Sequence, residues 1–327
     1  MAGLAGISLG VRLPNSGPFA TAENILATAE HVERAGYDRV WVHDHISWSR
    51  EKLTHFATGS LEACRDQDPN FFESVTTVGV LGGRLRRVGL GIAGLVLPLR
   101  DPRILAKQLT TIEHLVGSRL VLAFGIGAIQ NDFDVMGVRF DRRGRLSTDH
   151  LAALRTIFSD AQPNAFESKS VAWQGGTFFP RPRRLPLWVT GASDAGLERA
   201  VRHADGWMTV YAPVEEYAED IRRLRAAAER AERDPATIDT GIETYVTVAR
   251  THEDAVRIAK ASLVEKFKTL EAGLEKCVVG DADEVLARLA RYRDAGGKHA
   301  ELKFVCHDPG QLGEMIDRVA SAAYARG

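Results

Sequence analysis

Eight short apolar runs recur along the chain, at residues 7–11, 39–42, 88–96, 120–124, 187–189, 207–210, 242–248 and 302–305. Most are rich in Val, Ile and Leu without strict alternation, which suits strands covered by helices on one side and filled by side chains on the other. Between them lie stretches with helical spacing. The first, 21–35, sets Ile25, Ala29 and Val32 on one face, and Gly36 supplies a left-handed stop. The same signal recurs at 70–81, 101–116, 145–158, 193–203 with Ser193 as N-cap, 215–232, 253–272, 283–295 and 311–324. Eight strand–helix repeats predict an α/β protein, a (β/α)8 TIM barrel formed by residues 1–327 as a single domain. An open doubly wound sheet has the same local pattern and is the structural alternative. Between 159 and 185 the helical period fails and Pro163, Gly175, Gly176, Pro180 and Pro182 punctuate the chain, which predicts an excursion after strand 4. Arg181, Arg183 and Arg184 within it fit a solvated loop edge better than an anionic cofactor tail.

Composition narrows the partners. Forty-two Lys and Arg oppose 43 Asp and Glu, so a net charge of -1 gives no general attraction to nucleic acid or anionic membrane. Cys64, Cys277 and Cys306 are far apart and odd in number, which argues against a disulfide framework and for a reducing cytoplasm. No run is apolar and long enough to span a bilayer, and the first residues lack a signal core, so a cytoplasmic protein is expected.

Candidate chemistry lies where strands end, because a barrel presents its active face there. His43, Asp44 and His45 follow the second strand. The imidazole of His45 can move a proton, while the Asp44 carboxylate can hold an imidazole or bond to a cofactor; a structural turn capped by Asp44 is the plainer alternative. The expectation is that His43 and His45 point oppositely, and no second ligand cluster is evident, so no metal is expected. After the fourth strand, Gly125-Ile126-Gly127 lets backbone approach a polar cofactor tail and Asn131 adds an amide. The third glycine of a dinucleotide fingerprint is missing, which disfavours a Rossmann NAD site. Thr190-Gly191-Ala192-Ser193 combines a strand end, a glycine and a helix start, the parts of a phosphate site, although Ser193 can serve as an N-cap alone.

These segments carry a resemblance. Gly36-Tyr37-Asp38-Arg39-Val40-Trp41-Val42-His43-Asp44-His45 resembles the second-strand motif of luciferase-like flavin and deazaflavin oxidoreductases. The run from Val88 to Pro102 with Ala106-Lys107-Gln108 resembles their third strand and next helix, and Gly117 to Gly127 their fourth strand and cofactor loop. The register continues through Phe133, Gly137, Phe140, Arg143 and Gly144, then through Pro186 to Ser193 and Ala204-Asp205-Gly206-Trp207. The family implies a barrel holding FMN or coenzyme F420 at the carboxyl ends of its strands, and order and spacing here resemble the F420 branch more.

That resemblance implies His45 and Asp44 as catalytic residues, with Asp44, Ala93, Gly94, Gly125, Gly127, Asn131, Thr190, Gly191 and Ala192 around the cofactor. Ala93-Gly94 falls where relatives place a non-proline cis peptide behind the cofactor ring; Gly91 and Gly94 could instead relieve crowding between strands. Ala128 departs from the acidic residue of some deazaflavin enzymes. The implied activity is hydride exchange between F420 and a small, partly apolar organic substrate, in a homodimer, with a separate reductase as a possible supplier of reduced cofactor. An FMN monooxygenase using oxygen is the alternative, and a noncatalytic flavin-binding protein a third. Selectivity is expected from residues 46–69, with Trp48, Phe56 and Phe71 as aromatic contributors.

Overall fold

The computed structural model describes residues 6–47, 70–159 and 165–324, and every one of the eight apolar runs is a strand in it. In chain order they are β1 (Ser8–Arg12), β2 (Arg39–Val42), β3 (Gly89–Val96), β4 (Leu120–Gly125), β5 (Leu187–Thr190), β6 (Gly206–Val210), β7 (Asp239–Val248) and β8 (His299–Phe304). Each pairs in parallel with the next, and β8 returns to β1 through Leu9 opposite Ala300. A ring without edges excludes the doubly wound sheet and defines a (β/α)8 barrel. A further short strand, Val278–Gly280, joins β7 opposite Val246 to Val248.

Local chemistry sets the helix ends. The helix Ala22–Arg34 begins where Thr21 Oγ1 accepts the Asn24 amide at 3.1 Å, and Gly36 beyond it adopts φ +88°, a conformation a Cβ disfavours. Two expected helices differ. Residues 70–81 do not form one helix: Asn70–Phe71 pairs antiparallel with Ser16–Gly17, and Glu73 then caps Ser74–Arg84 by accepting the Thr76 amide at 2.7 Å. Residues 253–272 divide into His252–Phe267 and Leu270–Lys276, because Lys268 turns to φ +74° and Thr269 caps the second helix. The excursion after β4 contains a hairpin, Ala165–Glu167 with Ala172–Gln174, in which Phe166 stacks on Trp173 at 4.9 Å. Glu113, on the outer helix Pro102–Val116, accepts the Arg183 and Arg184 amides at 3.1 and 3.2 Å, which clasps this segment to the outside of the barrel.

Inside the ring, Trp41 of β2 and Trp188 of β5 fill the space, their rings 6.3 Å apart, while Val40 and Val42 face the helices. Such bulk requires empty neighbours. A Cβ on Gly91 would lie 2.1 Å from the Trp41 ring, so Gly91 does relieve crowding. Gly94, three residues on, has another setting, described below. Among the described residues no helix is long and apolar enough to cross a membrane, and no group of three or more His, Cys, Asp or Glu side chains could hold a metal ion. Cys277 and Cys306 are buried free thiols; Cys64 lies outside the described residues.

Candidate active site

A cavity of about 620 Å³ opens at the carboxyl ends of the strands. One side is built by β2 to β5 and carries most of the residues anticipated from the sequence: Asp44, His45, Ala93, Gly94, Gly125, Gly127, Thr190 and Gly191 all line it. Asn131 and Ala192 do not. Phe71 lines it too, while Trp48 and Phe56 lie outside the described residues.

His45 has a partner that the sequence did not indicate. Its Nδ1 lies 2.9 Å from Oδ2 of Asp132, on the short helix Gln130–Val135 after β4. Oδ1 of Asp132 accepts the amides of Ile46 and Ser47 at 3.2 and 2.8 Å and the Ser47 hydroxyl at 3.1 Å. Burial works to raise this carboxyl's pKa, but the bonds from His45 and Ser47 prevail and hold it below the usual range. A fixed carboxylate on Nδ1 selects the tautomer and leaves Nε2 without a protein hydrogen-bond partner among the described residues. Asn131 joins this network rather than the cavity, donating from Nδ2 to Ser47 Oγ at 2.7 Å.

Asp44 does not orient an imidazole. Arg100 grips it with both Nη atoms at 2.6 and 2.7 Å, Ser74 Oγ donates at 2.8 Å and the Val96 amide at 2.9 Å. With four donors and a wholly buried side chain, its carboxylate ties the end of β2 to the end of β3. His43 and His45 also depart from expectation: both line the cavity, with ring centroids 5.8 Å apart edge to face. Residues two apart on an extended segment share a face, so the expectation that the two rings point oppositely was mistaken. His43 Nε2 sits 2.6 Å from Ser16 Oγ, and burial, reinforced by Arg12 and Lys303, pushes its pKa well below the usual value.

The peptide Ala93-Gly94 is cis, and the register of β3 against β4 shifts there. Its Ala93 carbonyl accepts Arg12 Nη2 at 2.9 Å. A Cβ at Gly94 or Gly125 would come within 3.3 or 3.2 Å of Thr190 Oγ1, so these residues form a shallow cradle without side chains of its own. Gly127 holds φ +83°, and a Cβ there would strike Phe133 at 2.6 Å. Its carbonyl accepts Arg143 Nε at 3.1 Å, which sets a cation beside the loop. The Gly191 amide is bonded to the Met208 carbonyl at 3.0 Å and Ser193 Oγ caps the next helix at Gly196, so neither Gly191 N–H nor the Ser193 hydroxyl is idle.

The opposite wall, from β1 and β6 to β8, was not anticipated. Arg12 at the end of β1 bonds Glu301 through Nε and Glu243 through Nη2, the latter at 3.0 Å. Tyr211 donates to Glu243 at 2.8 Å, and Lys303 Nζ donates to the Tyr211 oxygen at 3.2 Å. Burial pushes Glu301 up to about 8 and Lys303 down to about 7. The signal was present as charged residues inside or directly beside apolar strand runs.

The closed barrel with an imidazole–carboxylate pair at its carboxyl face defines an enzyme-type site on a luciferase-like scaffold. Residues 5–272 match the luciferase-like monooxygenase family model, and the chain belongs to that family. An uncharacterised Mycobacterium tuberculosis protein is 30% identical over 207 residues, covering 62% of this chain and 70% of the relative. The F420-dependent glucose-6-phosphate dehydrogenase of Amycolatopsis mediterranei is 22% identical, covering 88% and 89%. A solved F420-dependent secondary alcohol dehydrogenase in complex with an F420-acetone adduct superposes with a TM-score of 0.82 at 18% identity, covering 98% of each chain.

Proposed function

We propose that this chain is an F420-dependent oxidoreductase that exchanges hydride between the deazaflavin and a small organic substrate in the barrel-mouth cavity. The observation that carries the reading is the placement, in one cavity, of a carboxylate-oriented His45 and the side-chain-free cradle of Gly94 and Gly125. A deazaflavin, when bound, supplies two-electron hydride chemistry without ordinary flavin's reactivity toward oxygen. Gly94, Gly125 and Thr190 would hold a flat ring, and the Gly127 loop with Arg143 its polar tail. His45 moves the substrate's hydroxyl proton at Nε2, and Asp132 keeps that nitrogen aimed. Asp44 supports this chemistry by fixing the backbone between β2 and β3.

Two further features fit this reading. Ile104 and Leu115, exposed by 63% and 80%, lie about three turns apart on one face of the helix Pro102–Val116 and suit a homodimer contact. The buried unpaired thiols Cys277 and Cys306 suit a reducing compartment such as the cytoplasm. Equilibrium titration of purified protein with F420 and with FMN tests the cofactor assignment. Saturable F420 binding that is lost in Gly125→Val supports it; tight FMN binding without F420 binding reverses it toward the oxygen-using alternative.

A further inference from the structure

We propose that Lys266 and Lys303 form a subsite for an anionic group of the substrate, a carboxylate or a phosphate ester, on the cavity wall facing the Gly94–Gly125 cradle. This rests on the functional reading above for the word substrate, but the subsite itself stands on charge and geometry.

Among the described residues lining the cavity the acids are Asp44 and Glu243, and each is bonded to an arginine, Arg100 and Arg12. Lys266 and Lys303 line the same cavity, and their charges are not matched in this way. Lys303 approaches Glu243 only to 3.9 Å, and Lys266 has no ion-pair partner among the described residues. Counting the buried Glu301 as well, Arg12, Lys266 and Lys303 face two carboxylates, so positive charge is in surplus even with both acids ionised.

The two ammonium groups are held together. Lys266 Nζ sits 4.7 Å from the Tyr211 ring centroid and 5.5 Å from that of Tyr245, and Lys303 Nζ lies 5.9 and 5.1 Å from the same rings. Cation–π contacts partly offset the cost of desolvating each ammonium, but they do not relieve the repulsion between the two. Lys303 spends one donor on Tyr211, whose own hydrogen goes to Glu243, and an ammonium has three. The remaining donors are available to an acceptor in the cavity. Its neighbours Phe71, Val96, Ile126 and Phe304 supply apolar surface for the rest of such a molecule.

The groups facing Lys303 decide how binding responds to pH. Glu243 favours its charged form, whereas Arg12, Lys266 and burial oppose it; Glu301 adds a weaker attraction, and His43 across the cavity is held neutral by its own burial. Burial places Lys303 near 7, so an anion that arrives beside it draws a proton onto the amine. Raising the pH through about 7 removes that proton, and raising it through about 8 ionises Glu301. Both changes weaken anion binding.

The probes are sulfate, standing for a phosphate ester, and benzoate, standing for a carboxylate; both stay ionised near neutrality, so proton uptake belongs to the protein. Calorimetric titration of cofactor-free protein in two buffers of different ionisation heat is expected to show binding of at least one probe with net proton uptake. Which probe binds names the source of the anion. Lys303→Met is expected to weaken binding by about tenfold or more and abolish uptake, while Lys303→Arg, permanently charged, keeps the affinity without the uptake. Lys266→Met is expected to weaken binding similarly. Binding of neither probe, binding without proton uptake, or unchanged binding in both Met variants would overturn the subsite. Loss of F420 affinity by about tenfold in Lys266→Met and Lys303→Met would assign the lysines to the cofactor and overturn it too. Failure of F420 to bind any form, with the anion results as expected, would sink the cofactor reading and leave the subsite standing.

Discussion

His45 and Asp132 are separated by 87 positions in the chain, yet Nδ1 of one lies 2.9 Å from a carboxylate oxygen of the other. The pair joins the end of β2 to the helix after β4, and Ser47 and Ile46 lock the carboxylate from the His45 side. Replacing His45 by Gln is expected to lower kcat about 100-fold or more, with cofactor affinity retained. Asp132→Asn should lower kcat by a smaller factor and alter the pH profile, because the amide can stabilise the wrong tautomer. Steady-state kinetics across pH check both; unchanged turnover in His45→Gln removes the imidazole from the chemistry.

Asp44 acts on stability. Arg100→Met would leave its buried carboxylate without its two guanidinium bonds, and the expected loss is about 3–5 kcal/mol, read from the denaturant midpoint. A loss no larger than that of an ordinary surface substitution would show that the Arg100 pair is not what holds Asp44.

The two glycines of β3 should separate. Gly91→Ala drives a methyl into Trp41 at 2.1 Å and is expected to destabilise the barrel by about 1–3 kcal/mol or more. Gly94→Ala meets its nearest atom, Thr190 Oγ1, at 3.3 Å, so the protein should fold while cofactor affinity falls. Thermal melts alongside F420 titrations distinguish the outcomes, and equal destabilisation by both changes would contradict the division.

Glu301 predicts a pH effect on folding. Its carboxyl is raised by burial from 4.5 to about 8, so the folded state retains a proton that the unfolded state releases. Its contribution is therefore fully present below 4.5 and is lost as the pH rises to about 8. Glu301→Gln keeps an acceptor for Arg12 but cannot ionise. Thermal midpoints should show the variant gaining on the parent protein across that window; parallel curves would mean that Glu301 is ionised throughout.

The strands were legible because each is a compact apolar run between helical periods, and His45 was legible because it follows β2 directly. Asp132 was not, since a carboxylate on a one-turn helix gives no local sign of which imidazole it will meet. The Gly91 and Gly94 alternatives looked alike in sequence and were separated only by their neighbours, Trp41 in one case and Thr190 in the other. Glu243 and Lys303 were visible as charges within apolar runs and Arg12 and Glu301 directly beside them, but their convergence depends on β8 closing against β1 and β7. Lys266 comes from a helix whose sequence resembles a solvated face.

The central claim is tested most directly by anaerobic rapid mixing of the enzyme and oxidised F420 with a panel of secondary alcohols deuterated at the carbinol carbon. Hydride exchange predicts oxygen-independent reduction of the cofactor by at least one alcohol, a primary isotope effect and recovery of the deuterium in the reduced cofactor. Turnover that requires oxygen and leaves labelled oxygen in the product would contradict it.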